Sequence, residues 1–138
     1  MHWKIIDHTA DAGLEVSALS WNELFRLAAE GFYHLCLDGD PTPVFSERNN
    51  TPHSISIEAV DLEELAVAWL NELLFLLETE NSLFLPSKIS VSETRTVLTA
   101  KGVLAPSGHV RIAVKAATYG GIVISGNPSP YLRVFVDM

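Results

Sequence analysis

The sequence predicts one α+β domain spanning residues 1–138, with two helices packed on a mixed, largely antiparallel β-sheet. Two segments repeat apolar residues at three- and four-residue steps, the period of a helix that buries one face. The second half is a succession of short β-branched runs separated by Gly, Pro and Asn turns, the texture of hairpin-connected strands. A hydrophobic fraction of 48% against 19% charged, over 138 residues, is enough for one core and too little for two.

Trp3–Ile6 and Leu14–Ala18 are short apolar-rich runs, and Gly13 between them is expected to supply the positive φ of a hairpin turn. Ser20-Trp21-Asn22-Glu23 has the spacing of a capping box, so a helix begins there. Leu24, Leu27, Ala28, Phe32 and Leu35 set its apolar stripe to about Leu37, where Asp38-Gly39-Asp40-Pro41-Thr42-Pro43 stops it. A polar loop over Ser46–Pro52 follows, and alternation in Ser54-Ile55-Ser56-Ile57-Glu58 then predicts a half-buried strand. Asp61 caps a second helix, whose Leu62, Leu65, Ala66, Trp69, Leu70, Leu73, Leu74 and Leu77 make a broad buried face. Further strands are expected over Ile89–Ser92, Val97–Val103, Val110–Ala116, Ile122–Ile124 and Tyr131–Val136. The turns between them are placed at Ser92-Glu93, Pro106-Ser107-Gly108, Gly120-Gly121 and Gly126-Asn127-Pro128.

Charge narrows the function classes. Seventeen acidic against nine basic residues give a net charge of -8, a field that repels phosphate backbones and favours cations or basic protein surfaces. Direct strong nucleic-acid binding is therefore disfavoured. The one cysteine, Cys36, lies between Leu35 and Leu37 and reads as a core thiol in a reducing compartment. No leader pattern and no uninterrupted membrane-length apolar run is present, and Glu63, Glu64, Asn71 and Glu72 break the most apolar helix. The expectation is a cytoplasmic protein without a membrane partner.

Nothing reads as a phosphate-binding loop, a dinucleotide fingerprint, a paired-cysteine zinc site or a nucleophile elbow, which lowers the expectation of an enzyme. The most suggestive cluster is Asp7-His8-Thr9-Ala10-Asp11, two carboxylates and an imidazole where a strand ends. Its plainer reading is a turn in which Asp7 caps free amides and His8 packs. Asp137 follows another strand-like run, and pairing of the first and last strands would bring it to Asp11. Two carboxylates with main-chain oxygens, including one on Met138, suit Ca²⁺ or Mg²⁺ better than Zn²⁺. An exposed Asp137 with no partner is the competing reading. Lys115 has two readings as well, a solvated strand lysine or a cation beside the carboxylates. Asn71 and Glu72 either lie on the helix edge or buttress the Asp loop or a partner surface. Cys36, His34, His53 and His109 are assigned no chemistry.

In chain order, Asp7-His8-Thr9-Ala10-Asp11 with Gly13, Glu23-Leu24-Phe25, Trp69-Leu70-Asn71-Glu72-Leu73-Leu74, Lys115-Ala116-Ala117-Thr118-Tyr119 and Val136-Asp137 resemble the archease family over essentially the whole chain. The resemblance implies a non-catalytic protein that promotes guanylylation and turnover of an RtcB-type RNA ligase in tRNA splicing and RNA repair. It also implies a calcium-type metal site formed by Asp11, Asp137 and Met138, and a part for Lys115 in activating the partner. A second role associated with the family is that of a chaperone or specificity modulator of RNA-modifying enzymes such as a tRNA methyltransferase. A third reading, from the residues alone, is a metal-dependent hydrolase with Asp11 and Asp137 as ligands and His8 as base. The chain departs from the family pattern at Gly120, where many relatives carry His, and at Ala113, where many carry an acidic residue. Both departures thin the polar surroundings of Lys115.

Overall fold

The structure, a computed structural model, describes residues 1–7, 12–37, 50–107 and 112–138, the side chain of Asp7 excepted. In chain order these residues form β1 (His2–Asp7), β2 (Ala12–Ser17), α1 (Trp21–Cys36), β3 (Thr51–Glu58), α2 (Leu62–Thr79), β4 (Ser82–Val91), β5 (Val97–Pro106), β6 (Ala116–Ser125) and β7 (Tyr131–Asp137). Two helices and antiparallel strands match the α+β expectation. The strands divide between two sheets, however, where one mixed sheet was expected: β1-β2-β7-β6 and β3-β5-β4.

Each helix touches both sheets, α1 meeting β1, β2 and β4 while α2 meets β3, β4 and β6. This shared helical layer is why two small sheets make one core. Leu14, Val16, Leu132, Val134 and Val136 enter it from the first sheet, and Ile55, Phe84, Ile89, Leu98 and Ala100 from the second. The two largest buried side chains also carry polar atoms, and each has a main-chain partner. Trp69 donates its indole N–H to the Phe25 carbonyl at 2.9 Å, and Tyr33 donates its hydroxyl to the Phe84 carbonyl at 2.7 Å. Burial pushes the Tyr33 phenol and the Cys36 thiol well above their ordinary pKa ranges. Cys36 is thus a protonated, inert core group, as its flanking leucines predict.

Both helix starts follow the sequence. The Ser20 hydroxyl accepts the Glu23 amide at 3.2 Å, and Asp61 Oδ1 accepts the Glu64 amide at 2.8 Å. The reciprocal half of the expected box is replaced, because the Glu23 carboxylate engages the Arg26 guanidinium one turn on. The guanidinium brings a full opposite charge to the carboxylate, which a main-chain amide does not.

Two glycines act differently from the expectation. Gly13 is a regular β2 residue, opposite Ile6 on one side and Phe135 on the other, and the hairpin does not turn on it. A Cβ there would lie 2.8 Å from Phe135 Cδ1, so the position needs a hydrogen to admit that ring. Gly120-Gly121 is likewise no hairpin turn: β6 runs through it as a wide bulge, with residues 119–122 bulging between the Thr118–Phe135 and Val123–Arg133 pairs. Gly121, with φ of 73°, provides the left-handed residue the bulge requires.

Three strand boundaries also move. The expected strand over Val110–Ala116 is replaced, in its described part, by irregular chain over 112–115. The Ala113 amide goes to Cys36 and the Lys115 amide to Asp137, two different elements, so no single ladder forms. β4 starts at Ser82, seven residues before the expected Ile89, and tolerates Pro86 because it is an edge strand. The strand expected at Ser54 starts at Thr51.

Candidate functional site

One end of the first sheet gathers the segments singled out by the sequence. β2 lies between β1 and β7, so the first and last strands do not pair directly; it is the second strand that meets the last. Its first residue, Ala12, stands opposite Val136, and the last β1–β2 pair is Asp7 with Ala12. The residue after Asp11 is therefore directly opposite the residue before Asp137. On the other flank Ala116 pairs with Asp137, and the Lys115 amide donates to the Asp137 carbonyl at 2.7 Å. Three chain segments, two of them distant in sequence from β2, converge because β7 is the inner strand between β2 and β6.

Asn71 secures this end from the helix. Its Oδ1 accepts the Ala117 amide at 2.8 Å, and its Nδ2 donates to the Ala117 carbonyl at 3.3 Å. The side chain thus takes the hydrogen-bonding groups that an edge strand leaves open, two residues beyond Lys115. Asn71 thus braces β6 and the lysine segment, whereas the expected support of the Asp loop falls outside the described residues. Glu72 is half-buried beside it and makes no ion pair among the described residues. Thr118 adds a second brace by donating its hydroxyl to the Phe135 carbonyl at 3.2 Å. Thr118 and Phe135 were not singled out by sequence reasoning, although Thr118 sits inside the Lys-Ala-Ala-Thr-Tyr segment that was.

The predicted donors divide by what is described. Asp137 and Met138 are exposed at the strand end, and Lys115 is exposed on the adjoining segment. Neither Asp137 nor Lys115 forms a side-chain ion pair among the described residues. Asp11, His8 and His109, with the side chain of Asp7, lie outside the described residues. Among the described residues no three His, Cys, Asp or Glu side chains group as metal ligands. The described donor side chain at this end, the exposed Asp137 carboxylate, offers hard oxygens of the kind Ca²⁺ or Mg²⁺ takes. His34 packs its ring 4.7 Å from Trp3 and His53 lies 5.8 Å from Phe84, both as aromatic neighbours.

The outer face of the same sheet carries a charged row next to this end. Lys4 and Glu15 pair across β1 and β2 at 3.6 Å, and Arg133 stands opposite Glu15 on β7. The Arg133 guanidinium lies 5.9 Å from the Phe135 ring centre. Tyr131 lies two residues along β7 from Arg133; desolvation first, and then its hydrogen bond with the Glu15 carboxylate, hold its phenol above the usual pKa. No helix among the described residues is long and apolar enough to cross a membrane.

Residues 3–138 match the profile of the Archease protein family (MTH1598/TM1083). The chain is 28% identical to protein archease of Sulfurisphaera tokodaii over 97% of its length and 96% of the relative's. Against protein archease of Sulfolobus acidocaldarius it is 30% identical, again over 97% and 96%. The fold is similar to the solution structure of Methanobacterium thermoautotrophicum protein 1598, with a TM-score of 0.65 and 28% identity over 99% of this chain and 98% of that one. It is also similar to a crystal structure from Thermotoga maritima described as an archease and possible chaperone, with a TM-score of 0.59 and 17% identity over 98% and 96% of the two chains.

Proposed function

The chain belongs to the archease family, and we propose on that footing that it is a non-catalytic protein cofactor of an RtcB-type RNA ligase. The observation that carries the reading is the register at one end of the first sheet, where Ala12 opposes Val136 while the Lys115 amide holds the Asp137 carbonyl. Residues 11 and 137 each adjoin the same rung, and the resemblance assigns both to a metal site with Met138. Asp11, Asp137 and the main-chain oxygen of Met138 would hold a hard divalent cation, Ca²⁺ or Mg²⁺. When bound, that ion supplies positive charge to which a partner's anionic group can be directed.

This chain's residues contribute positioning and field. Asn71 and Thr118 fix β6 and β7, and the bond from the Lys115 amide to the Asp137 carbonyl keeps an exposed lysine and an exposed carboxylate on adjoining segments. The net charge of -8 complements a basic RNA-handling enzyme and speeds their encounter, so stimulation runs through protein contact in the cytoplasm without strong RNA binding. The metal-dependent hydrolase reading ranks below the cofactor reading because the family match spans residues 3–138, and turnover of a phosphoester panel in Mg²⁺, Ca²⁺ or Mn²⁺ would reverse that order.

The test is ligase guanylylation and turnover with the wild-type protein, Asp137→Ala and Lys115→Ala. Both variants are expected to lose stimulation while keeping the wild-type melting temperature. Equal stimulation by Asp137→Ala and wild type would remove the acidic tip from the mechanism. The chaperone reading draws on the words attached to the Thermotoga maritima structure, and it would be favoured if the protein protects a tRNA methyltransferase from aggregation but leaves ligase turnover unchanged.

A further inference from the structure

The second sheet carries a feature unrelated to the acidic tip. On its outer face Lys88 of β4 stands directly opposite Lys101 of β5. Directly opposed residues of an antiparallel pair have Cβ atoms about 5 Å apart, a spacing at which like charges repel. Neither lysine pairs with a carboxylate among the described residues, in a chain with seventeen acidic side chains to nine basic.

The opposition is built by the backbone. Pro86 pairs with Gly102, so an unbroken ladder would set Ser87 against Lys101; a bulge between Pro86 and Lys88 skips Ser87 and brings Lys88 there instead. The displaced Ser87 fastens the bulge by donating its hydroxyl to the Lys101 carbonyl at 3.0 Å. Gly102 makes the bulge possible, since a Cβ on it would lie 2.1 Å from the Leu85 carbonyl oxygen. The residues flanking the pair on this face are hydroxyls: Ser54 opposite Lys101, and Ser56 and Ser90 on either side of Thr99. All are exposed. Lys88, Ser90, Thr99 and Lys101 line a depression of about 290 Å³. Lys88 also borders a neighbouring depression with Glu23 and Arg26, but those two engage each other. The carboxylate on this face, Glu58, is four residues along β3 from Ser54, roughly 13 Å away.

We propose that the bulge-set pair Lys88 and Lys101, with the hydroxyls of Ser54, Ser90 and Thr99, is a binding site for a compact phosphate-bearing small molecule. Two ammonium groups and short hydroxyl donors match the charge and the several acceptor oxygens of a phosphate, and an anion lying between the lysines offsets their mutual repulsion. The five side chains include no aromatic or apolar platform, which disfavours stacked bases and lipid tails. The chain's net negative charge repels an extended polyanion at long range but little affects a small ligand seated between two lysines. The inference is independent of the proposed partner.

Amide-resolved NMR titration with inorganic phosphate and then pyrophosphate, at constant ionic strength against chloride, tests it. Saturable shifts are expected at Ser54, Ser90, Thr99 and Lys101, with pyrophosphate binding more tightly. Lys88→Gln and Lys101→Gln should each weaken binding by about tenfold, the effect of losing one charge-assisted bond. Lys4→Gln, on the other sheet, should leave it unchanged. Linear shifts matched by chloride, equal weakening by Lys4→Gln, or tighter binding of an RNA duplex than of pyrophosphate on this face would each overturn the proposal.

Discussion

Removing the Asn71 carboxamide is the sharpest probe of how the candidate site is held. The side chain takes both main-chain groups of Ala117, at 2.8 Å and 3.3 Å, and Ala117 is only 5% exposed. Asn71→Ala therefore deletes one well-formed and one long hydrogen bond and leaves a buried amide unpaired. An unpaired buried donor costs about 1–3 kcal/mol, and the longer bond adds a few tenths, so the total is about 2 kcal/mol. With an unfolding entropy of about 2.1 cal/mol/K per residue, a domain of this size should lose roughly 7 °C in melting temperature. Calorimetry gives that number, and amide hydrogen exchange gives its location: Lys115 and Ala117 should exchange faster by more than the global loss accounts for. Asn71→Asp keeps the acceptor for the Ala117 amide and should fall between the two. If Asn71→Ala leaves both the melting temperature and the exchange of these amides unchanged, the helix does not hold the lysine segment and the positioning argument is wrong.

Tyr33 predicts an alkaline weakness. Burial raises its phenol above the unfolded value of about 10, so above that pH the unfolded chain releases a proton that the native state keeps, and stability falls as pH rises. Urea unfolding of Tyr33→Phe should show a loss of about 1 kcal/mol at neutral pH, from the bond to the Phe84 carbonyl, and a flatter decline above pH 10. The two adjacent glycines of β6 should respond to substitution unequally. Gly121→Ala places a side chain at φ of 73° with Phe135 ring carbons 3.1 Å away and should destabilise by about 1–2 kcal/mol in thermal melts. Gly120→His meets open space and should change stability by less than about 0.5 kcal/mol, so any gain in ligase stimulation from it reports on the surroundings of Lys115.

The helices were legible because their signals are local. Ser20 and Asp61 cap the next turn, and the apolar spacing of Leu24–Leu35 and Leu62–Leu77 fixes which face is buried. The strands were legible as strands, but their partners were not. A run such as Tyr131–Val136 has the same alternation whether it lies beside β1 or between β2 and β6, and only packing against the two helices selects the second arrangement. The glycine signals misled for a related reason. Gly-Gly marks a backbone freedom, and whether that freedom serves a turn or a bulge depends on the Phe135 ring arriving from another strand.

By itself, then, the amino-acid order determined the α+β class, both helices with their caps, the inert cysteine and the segments that mark the family. Tertiary structure alone decided that the strands form two sheets, that Asn71 reaches the main chain of Ala117, and that a bulge sets Lys88 against Lys101. The division follows from range: caps and periodicity are interactions over three or four residues and are written in the chain, whereas register and convergence are settled only when distant segments compete for the same buried surface.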